Sequence, residues 1–271
     1  MLINLIDNAF SHCEYSNNPL PPIQTSKYIK WNRVIDFDKK STIIATENDI
    51  RDTLFINSNG KKIAWLLECD KINIDIYEWV KNNYNLYDII FSHNKDFIKE
   101  VPNSYWLPFG GCWIEPNNWG IKSKEDKISI VASSKNFLNG HKLRHQVINV
   151  FKNIETYGSG YKPIENKITS LDKYKYQIVI ENEKIPGYFT EKIIDCFVTG
   201  TIPIYWGDPN ISDVFNINGI ITFGNIEELK TILNNIETQK IDNKYIKENF
   251  DISMEYILAE DYMYKNYKEL L

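Results

Sequence analysis

The chain has 271 residues, 43% hydrophobic and 25% charged, a balance that permits a sizeable core in one large domain or in two of about 100–150 residues each. With 36 acidic and 31 basic residues it carries a net charge of −5, a poor basis for general nucleic-acid binding, which needs a basic face to neutralise phosphates. The four cysteines, Cys13, Cys69, Cys112 and Cys196, form no Cys-x-x-Cys pair, which argues against a zinc cluster and for reduced thiols in a cytosol-like compartment.

The N-terminus, MLINLIDNAF, has neither the basic start nor the long apolar stretch of a signal peptide and reads as a first strand. No apolar run reaches the roughly 18 residues that a membrane span needs, so a soluble, cytoplasmic protein without a membrane span is expected. Along the chain, short apolar runs alternate with amphipathic stretches, the pattern of an α/β protein. In the first half, strands are predicted at Leu2 to Ile6, Thr42 to Ala45, Ile63 to Leu67, Ile89 to Phe91 and Tyr105 to Leu107, with a helix at Ile74 to Lys81. Pro, Asn, Gly and a charged run between Pro116 and Asp126 suggest a boundary, giving domains of residues 1–122 and 123–271.

The second half opens with a predicted strand at Ile128 to Ala132 and a helix at Lys142 to Phe151. Strands follow at Ile154 to Tyr157 and Gln177 to Ile180, on either side of a glycine-rich turn at Gly158 to Gly160. A helix from Glu191 to Val198 ends at Gly200, and a buried strand, Ile202 to Tyr205, leads into the turn Gly207 to Asn210. Helices are predicted at Ile226 to Ile236 and Met254 to Leu270. The last is amphipathic and suited to packing back on the first half.

The informative stretch is Tyr174 to Phe223, YKYQIVIENEKIPGYFTEKIIDCFVTGTIPIYWGDPNISDVFNINGIITF. A strand ends in Glu181 and Asn182, a loop with Pro186 and Gly187 follows, and Thr190 stands where an N-cap belongs. Free backbone N–H groups and the helix dipole attract an anion at such an end, and Lys192 in the first turn adds a full positive charge. Glu191 is placed to accept hydrogen bonds from sugar hydroxyls. The group suits a nucleoside diphosphate beyond the carboxyl edge of a strand. The plain alternative is a capped helix whose Glu191 and Lys192 are solvated.

This stretch resembles the donor-binding region of the α-1,3-fucosyltransferases, glycosyltransferase family 10. The elements that carry the resemblance are Ile180-Glu181-Asn182, Tyr188-Phe189-Thr190-Glu191-Lys192 and Ile202-Pro203-Ile204-Tyr205-Trp206-Gly207-Asp208-Pro209. The resemblance implies that Lys192 contacts the pyrophosphate, that Glu191 contacts the ribose, and that Asn182 and Tyr188 line the donor pocket. Glu181 receives no role. Upstream, VASSKNFLNGHKLRHQVINVF resembles the family's strand, turn and helix, with Arg144 as the matching arginine, although Lys142 and His145 are neighbours in that register. A guanidinium forks onto phosphate oxygens, which suits the second cation of a pyrophosphate clamp. The alternative is a surface arginine on an amphipathic helix.

Sugar transfer with inversion needs a base for the attacking hydroxyl, and in the family a carboxylate at a strand end of the N-terminal domain serves. Glu68 follows the strand KIAWLL and is the candidate base, with Asp70, Glu14 and Glu115 as rivals. His12, Glu14 and His93 follow strands and are placed to touch an acceptor, and the run Leu107 to Trp113 suits either sugar stacking or a hinge. The resemblance thus implies a GT-B-type architecture, two Rossmann-like domains facing a central cleft. The implied reaction is transfer of L-fucose from GDP-fucose to a saccharide hydroxyl, with no metal cofactor. The alternatives are another GDP-sugar on the same fold, or a glycan-binding protein without catalysis.

Overall fold

The structure, a computed structural model, describes residues 1–8 and 25–271. His12, Cys13 and Glu14 lie outside the described residues. The chain divides into two compact units, Met1–Gly111 with Pro186–Tyr188 and Tyr256–Leu271, and Cys112–Ile185 with Phe189–Glu255. The division falls between Gly111 and Cys112, ahead of the polar stretch at 116–126, and the C-terminal segment is part of the first unit.

The first unit is built on a six-stranded sheet of β1 (Leu2–Ile6), β2 (Lys30–Asn32), β3 (Thr42–Thr46), β4 (Lys61–Leu66), β5 (Ile89–Ser92) and β6 (Ser104–Trp106), in the order β2-β1-β3-β4-β5-β6. All its pairs are parallel. A parallel sheet is covered on both faces, so its strands read as continuous apolar runs. Here Leu5, Ile44, Ile63, Trp65 and Phe91 fill one core, and Ile43, Ala45, Ala64, Leu66 and Ile90 fill the other. The short helices α1 (Thr53–Ile56) and α3 (Lys95–Glu100) and the longer α2 (Ile74–Asn82) place Phe55, Phe97, Ile76, Tyr77 and Val80 in the second core.

The second unit has a five-stranded sheet of β7 (Glu125–Val131), β8 (Glu155–Tyr157), β9 (Tyr174–Ile180), β10 (Ile202–Trp206) and β11 (Ile221–Thr222), in the order β11-β10-β9-β7-β8, again parallel. Helices α4 (Asn139–Val150) and α6 (Ile226–Asn234) pack Val147 and Leu229 against its core. Helix α5 (Glu191–Val198) is buried along nearly its whole length, and α7 (Asn243–Ser253) buries Asn249, whose side chain clasps the backbone of Asn216.

The segment Met254 to Leu270 is not the single helix that its amphipathic pattern predicts. Ile257 and Leu258 are buried, and Leu258 is extended (φ −134°, ψ 124°). The chain therefore breaks into a 3-10 turn at Met254–Tyr256 and a helix α8 (Ala259–Tyr267). Met263 of α8 is fully buried in the first core, with Tyr262, Tyr264 and Tyr267 packed around it. No helix among the described residues is long and apolar enough to cross a membrane.

In each sheet the unit's first strand lies between its second and third: β1 between β2 and β3, β7 between β8 and β9. The winding reverses there, and the crevice outside the carboxyl ends of such strands is where doubly wound sheets take ligands.

Candidate functional site

The reversal point of the second sheet is flanked by α4 and by the segment that leaves β9 at Ile180. Gly140 in the first turn of α4 donates its N–H to the Asn182 carbonyl at 3.0 Å. A Cβ at this glycine would stand 1.8 Å from the Glu181 carbonyl oxygen, so the absence of a side chain is what lets helix and loop meet. One turn on, Arg144 donates Nε–H to the Ile180 carbonyl at 3.0 Å and Nη2–H to Asn182 Oδ1 at 3.1 Å. It is 7% exposed, which excludes the surface arginine of an amphipathic helix. The arginine thus fixes the side chain of Asn182, joining two residues that the sequence pointed to separately.

Glu181 is the centre of the next layer. Its side chain is fully buried. Oε1 accepts the Thr190 N–H at 2.9 Å, Oε2 accepts the Thr190 hydroxyl at 2.8 Å, and Lys192 Nζ lies 3.4 Å from Oε2. Gly207 makes room for it: a Cβ there would stand 2.7 Å from Glu181 Cγ and 2.3 Å from the Tyr205 hydroxyl. This is a physical reason for a glycine directly after the strand Ile202–Trp206.

Thr190 caps α5 through its hydroxyl, which accepts from the Lys192 N–H at 3.4 Å and from Lys192 Nζ at 2.9 Å. Lys192 Nζ also lies 3.3 Å from Glu191 Oε1, and Lys167 Nζ lies 3.7 Å from the same oxygen and 2.6 Å from Asp195 Oδ2. A chain of alternating charges therefore runs Glu181, Lys192, Glu191, Lys167, Asp195 through the first turns of α5. Glu191 is 7% exposed. Burial raises its carboxyl, but Lys192 and Lys167 outweigh burial and hold it down to about 2. Burial likewise disfavours charge on Lys167, and Asp195 and Glu191 reverse that and keep it protonated. The solvated Glu191 and Lys192 of the plain alternative are thus not what the fold contains, although the Lys192 side chain keeps 25% exposure.

His141 lies beside this group, 3% exposed and one turn before Arg144. Its Nδ1 accepts the Leu138 N–H at 3.3 Å. Burial first, then Arg144, Lys135 and Lys192, lower its pKa to about 4. It is a neutral ring beside two cations, and no motif in the sequence marks it.

Of the remaining candidates among the described residues, Glu68, Asp70, His93 and Tyr188 lie in the first unit, and Glu115 is exposed in the second. Tyr188 is grouped with the first unit and rests its ring on His93, centroids 4.6 Å apart. His93 is fully buried, and burial lowers its pKa to about 3. Glu68 follows β4, half-buried, at the carboxyl end of the sheet. Its N–H is held by Glu47 Oε1 at 2.8 Å and its carbonyl accepts the Tyr77 hydroxyl at 3.0 Å. Asp70 pairs instead with Asn94 Nδ2 at 3.3 Å and Lys71 at 3.7 Å. In the run Leu107 to Trp113, Trp113 donates its N–H to Asp195 Oδ1 at 2.7 Å, and Lys167 Nζ lies 5.0 Å from its ring centroid.

Residues 121–268 match the family described as glycosyltransferase family 10 (fucosyltransferase), C-terminal part. The chain is 33% identical to an α-(1,3)-fucosyltransferase of Helicobacter pylori over 117 residues, 41% of this chain and 24% of that protein. It is 39% identical to α-(1,3)-fucosyltransferase B of Drosophila melanogaster over 80 residues, 28% of this chain and 18% of that protein. These matches span a quarter or less of the curated relatives' length. Among solved structures, the fold is similar to an α1,3-fucosyltransferase with GDP-fucose, with a TM-score of 0.55 at 20% identity, covering 82% of this chain and 72% of that one. It is also similar to an α1,3-fucosyltransferase with GDP, with a TM-score of 0.54 at 17% identity, covering 86% and 78%. Two parallel Rossmann-like sheets and these likenesses give a fold of the GT-B type. The match over more than half of the sequence settles the family: the chain belongs to glycosyltransferase family 10, the fucosyltransferases.

Proposed function

We propose that the protein transfers L-fucose from GDP-fucose to a saccharide hydroxyl with inversion. The observation that carries the reading is the arrangement at the reversal point of the second sheet, where Arg144, Asn182, Glu191 and Lys192 lie together. Lys192 and Arg144 meet the pyrophosphate, Glu191 accepts from the ribose hydroxyls, and Asn182 and Tyr188 line the donor pocket. Glu191 is suited to its part because Lys192 and Lys167 keep it ionised and therefore accepting. As the bond from sugar to phosphate breaks, negative charge grows on the leaving diphosphate. Two fixed cations and the N-terminus of α5 stabilise that charge without a divalent metal. Glu68, at the carboxyl end of β4, takes the proton of the attacking hydroxyl.

Family membership supports the reading, as does the solved α1,3-fucosyltransferase of the same fold with GDP-fucose. The test is calorimetric titration with GDP and UDP, together with GDP release from GDP-fucose. We expect GDP to bind and UDP to bind far more weakly. Equal affinities for the two would overturn the donor assignment.

A further inference from the structure

Glu47 is the sole non-glycine residue among those described with a positive φ, +49°. Long side chains rarely adopt this left-handed backbone, and where they do the surroundings over-determine it. Glu47 directly follows β3, at the carboxyl end of one of the two strands that flank the reversal point of the first sheet. It is 1% exposed. Oε1 accepts the N–H of Leu67 at 2.7 Å and of Glu68 at 2.8 Å, and Oε2 accepts from Asn73 Nδ2. The left-handed turn thus sends the carboxylate sideways onto the end of the neighbouring strand β4. Burial pushes the Glu47 carboxyl up, and the two backbone donors pull against that.

A strand end can be satisfied by water or by any neutral acceptor. This one is held by a buried carboxylate in an unfavourable backbone conformation, two features that each work against stability. On its other side, the Glu68 carbonyl accepts from Tyr77, whose hydroxyl is also 3.4 Å from Ser92 Oγ. The Glu68 backbone is therefore fixed at both N–H and C=O, while its side chain is left half-exposed.

We propose that Glu47 is a positioning residue for the Glu68 base, fixing the turn from which the Glu68 carboxylate reaches the acceptor hydroxyl. This rests on the reading of Glu68 as the base. Displacing a reacting group by about an ångström can lower a rate by about 10²-fold, so a residue that sets the base's place carries an effect of that size without touching substrate.

The experiment follows GDP release from GDP-fucose, into water and into a mixed oligosaccharide pool, for wild type, Glu47→Ala, Glu47→Gln, Glu68→Gln and the double variant Glu47→Ala/Glu68→Gln. GDP affinity is read in parallel by calorimetry. Glu47→Ala is expected to lower kcat by about 10²-fold with GDP affinity unchanged. Glu47→Gln, whose amide oxygen still accepts both backbone N–H groups, is expected to recover most of that loss. In the Glu68→Gln background, Glu47→Ala is expected to lower kcat by less than about threefold, because residues that act as one unit are not additive. An equal loss in both backgrounds would overturn the proposal, and so would a folded Glu47→Ala enzyme at wild-type kcat. Should Glu47→Ala not fold, Glu47→Asp is read in its place: it keeps the charge but falls short of the two N–H groups, and wild-type kcat there overturns the proposal equally. Glu68→Gln at wild-type rate would remove the base reading itself and the proposal with it. A slow Glu68→Gln beside a fast Glu47→Ala would remove the positioning role alone.

Discussion

Thr190 gives both of its donors to Glu181, the backbone N–H to one carboxylate oxygen at 2.9 Å and the hydroxyl to the other at 2.8 Å. The same hydroxyl accepts from Lys192. One buried carboxylate therefore fixes the residue that caps α5 and the cation beside it. Glu181→Ala would leave the nearly buried Thr190 N–H and hydroxyl without their acceptor. An unsatisfied buried donor costs about 1–3 kcal/mol, so we expect a loss of about 2–4 kcal/mol, read as a lower urea midpoint. Glu181→Gln keeps an acceptor and should lose less than half as much. Equal midpoints for Glu181→Ala and wild type would show that the contact does not hold the fold.

Lys192 and Arg144 should separate when each is replaced. The sequence suggests that both side chains face an open cleft and that the fold tolerates losing either. In the structure Arg144 is buried and bonded to Ile180 and Asn182, whereas Lys192 keeps a quarter of its side-chain surface. Lys192→Ala is expected to weaken GDP binding by about 1.5–3 kcal/mol, the worth of a charged hydrogen bond, and to lower Tm modestly, since Glu181 keeps both Thr190 bonds and Glu191 keeps Lys167 when that cation is lost. Arg144→Ala is expected to weaken binding similarly and to lower Tm further, because its bonds to Ile180 and Asn182 are buried. Calorimetry and thermal unfolding on the same samples decide it, and unchanged affinity removes either residue from the clamp.

What the sequence disclosed and what it hid follow from the range over which each signal acts. Apolar runs between turn residues marked most strands of both sheets, because a parallel strand buried on both faces leaves a continuous signature. The edge strand β2 has three residues and left none. The roles proposed for Asn182, Glu191 and Lys192 came from one contiguous motif, and Thr190 gave itself away as a cap. Glu181 stood inside that motif without a role, since nothing local shows that its carboxylate turns back onto Thr190. Lys167, His141 and Glu47 were invisible. Each acts on a residue brought near by the sheet order or by a helix packing on a loop, and Glu47 acts through a left-handed backbone that no glycine announced.

Transfer should proceed without a divalent ion. In the proposed site the positive charge for the leaving diphosphate comes from Lys192, Arg144 and the α5 N-terminus, so no bridging metal is invoked. GDP release from GDP-fucose should persist in excess EDTA at near its untreated rate. Complete loss in EDTA, restored by manganese or magnesium, would contradict this.

His141 should report the arrival of a diphosphate. Its pKa is lowered to about 4, by burial first and then by Arg144, Lys135 and Lys192. A bound diphosphate beside Arg144 and Lys192 offsets their charge and favours the protonated ring, so the His141 pKa should rise in the GDP complex. The sign for stability follows from the same shift. In the free protein an unfolded histidine takes its proton first as pH falls, so His141 withdraws stability from near its ordinary value of 6.5 down to about 4. NMR titration of the imidazole with and without GDP measures both midpoints. An unmoved midpoint would place the diphosphate away from His141.

Glu191 shows the opposite kind of linkage. Its folded pKa is held to about 2, against 4.5 for the ordinary group, by Lys192 and Lys167 acting against burial. A depressed carboxylate contributes stability that is fully present above its unfolded pKa and is lost as pH falls toward the folded one. The window is therefore from about 4.5 down to about 2, and at about 1.36 kcal/mol per unit the contribution is on the order of 3 kcal/mol. Glu191→Gln removes this proton linkage while leaving the side chain's shape. It also leaves Lys192 with Glu181 and Lys167 with Asp195 as separate pairs. Urea unfolding at about pH 7 and about pH 3 should show wild type losing more stability on acidification than the variant, by about 2 kcal/mol, the part of that window already crossed at about pH 3. At neutral pH, Glu191→Gln should also weaken GDP binding, since an amide oxygen is a poorer acceptor for ribose hydroxyls than a carboxylate. Equal acid sensitivity in the two proteins would mean that the alternating charges along α5 do not hold Glu191 ionised, and the reason for placing the ribose there would go with them.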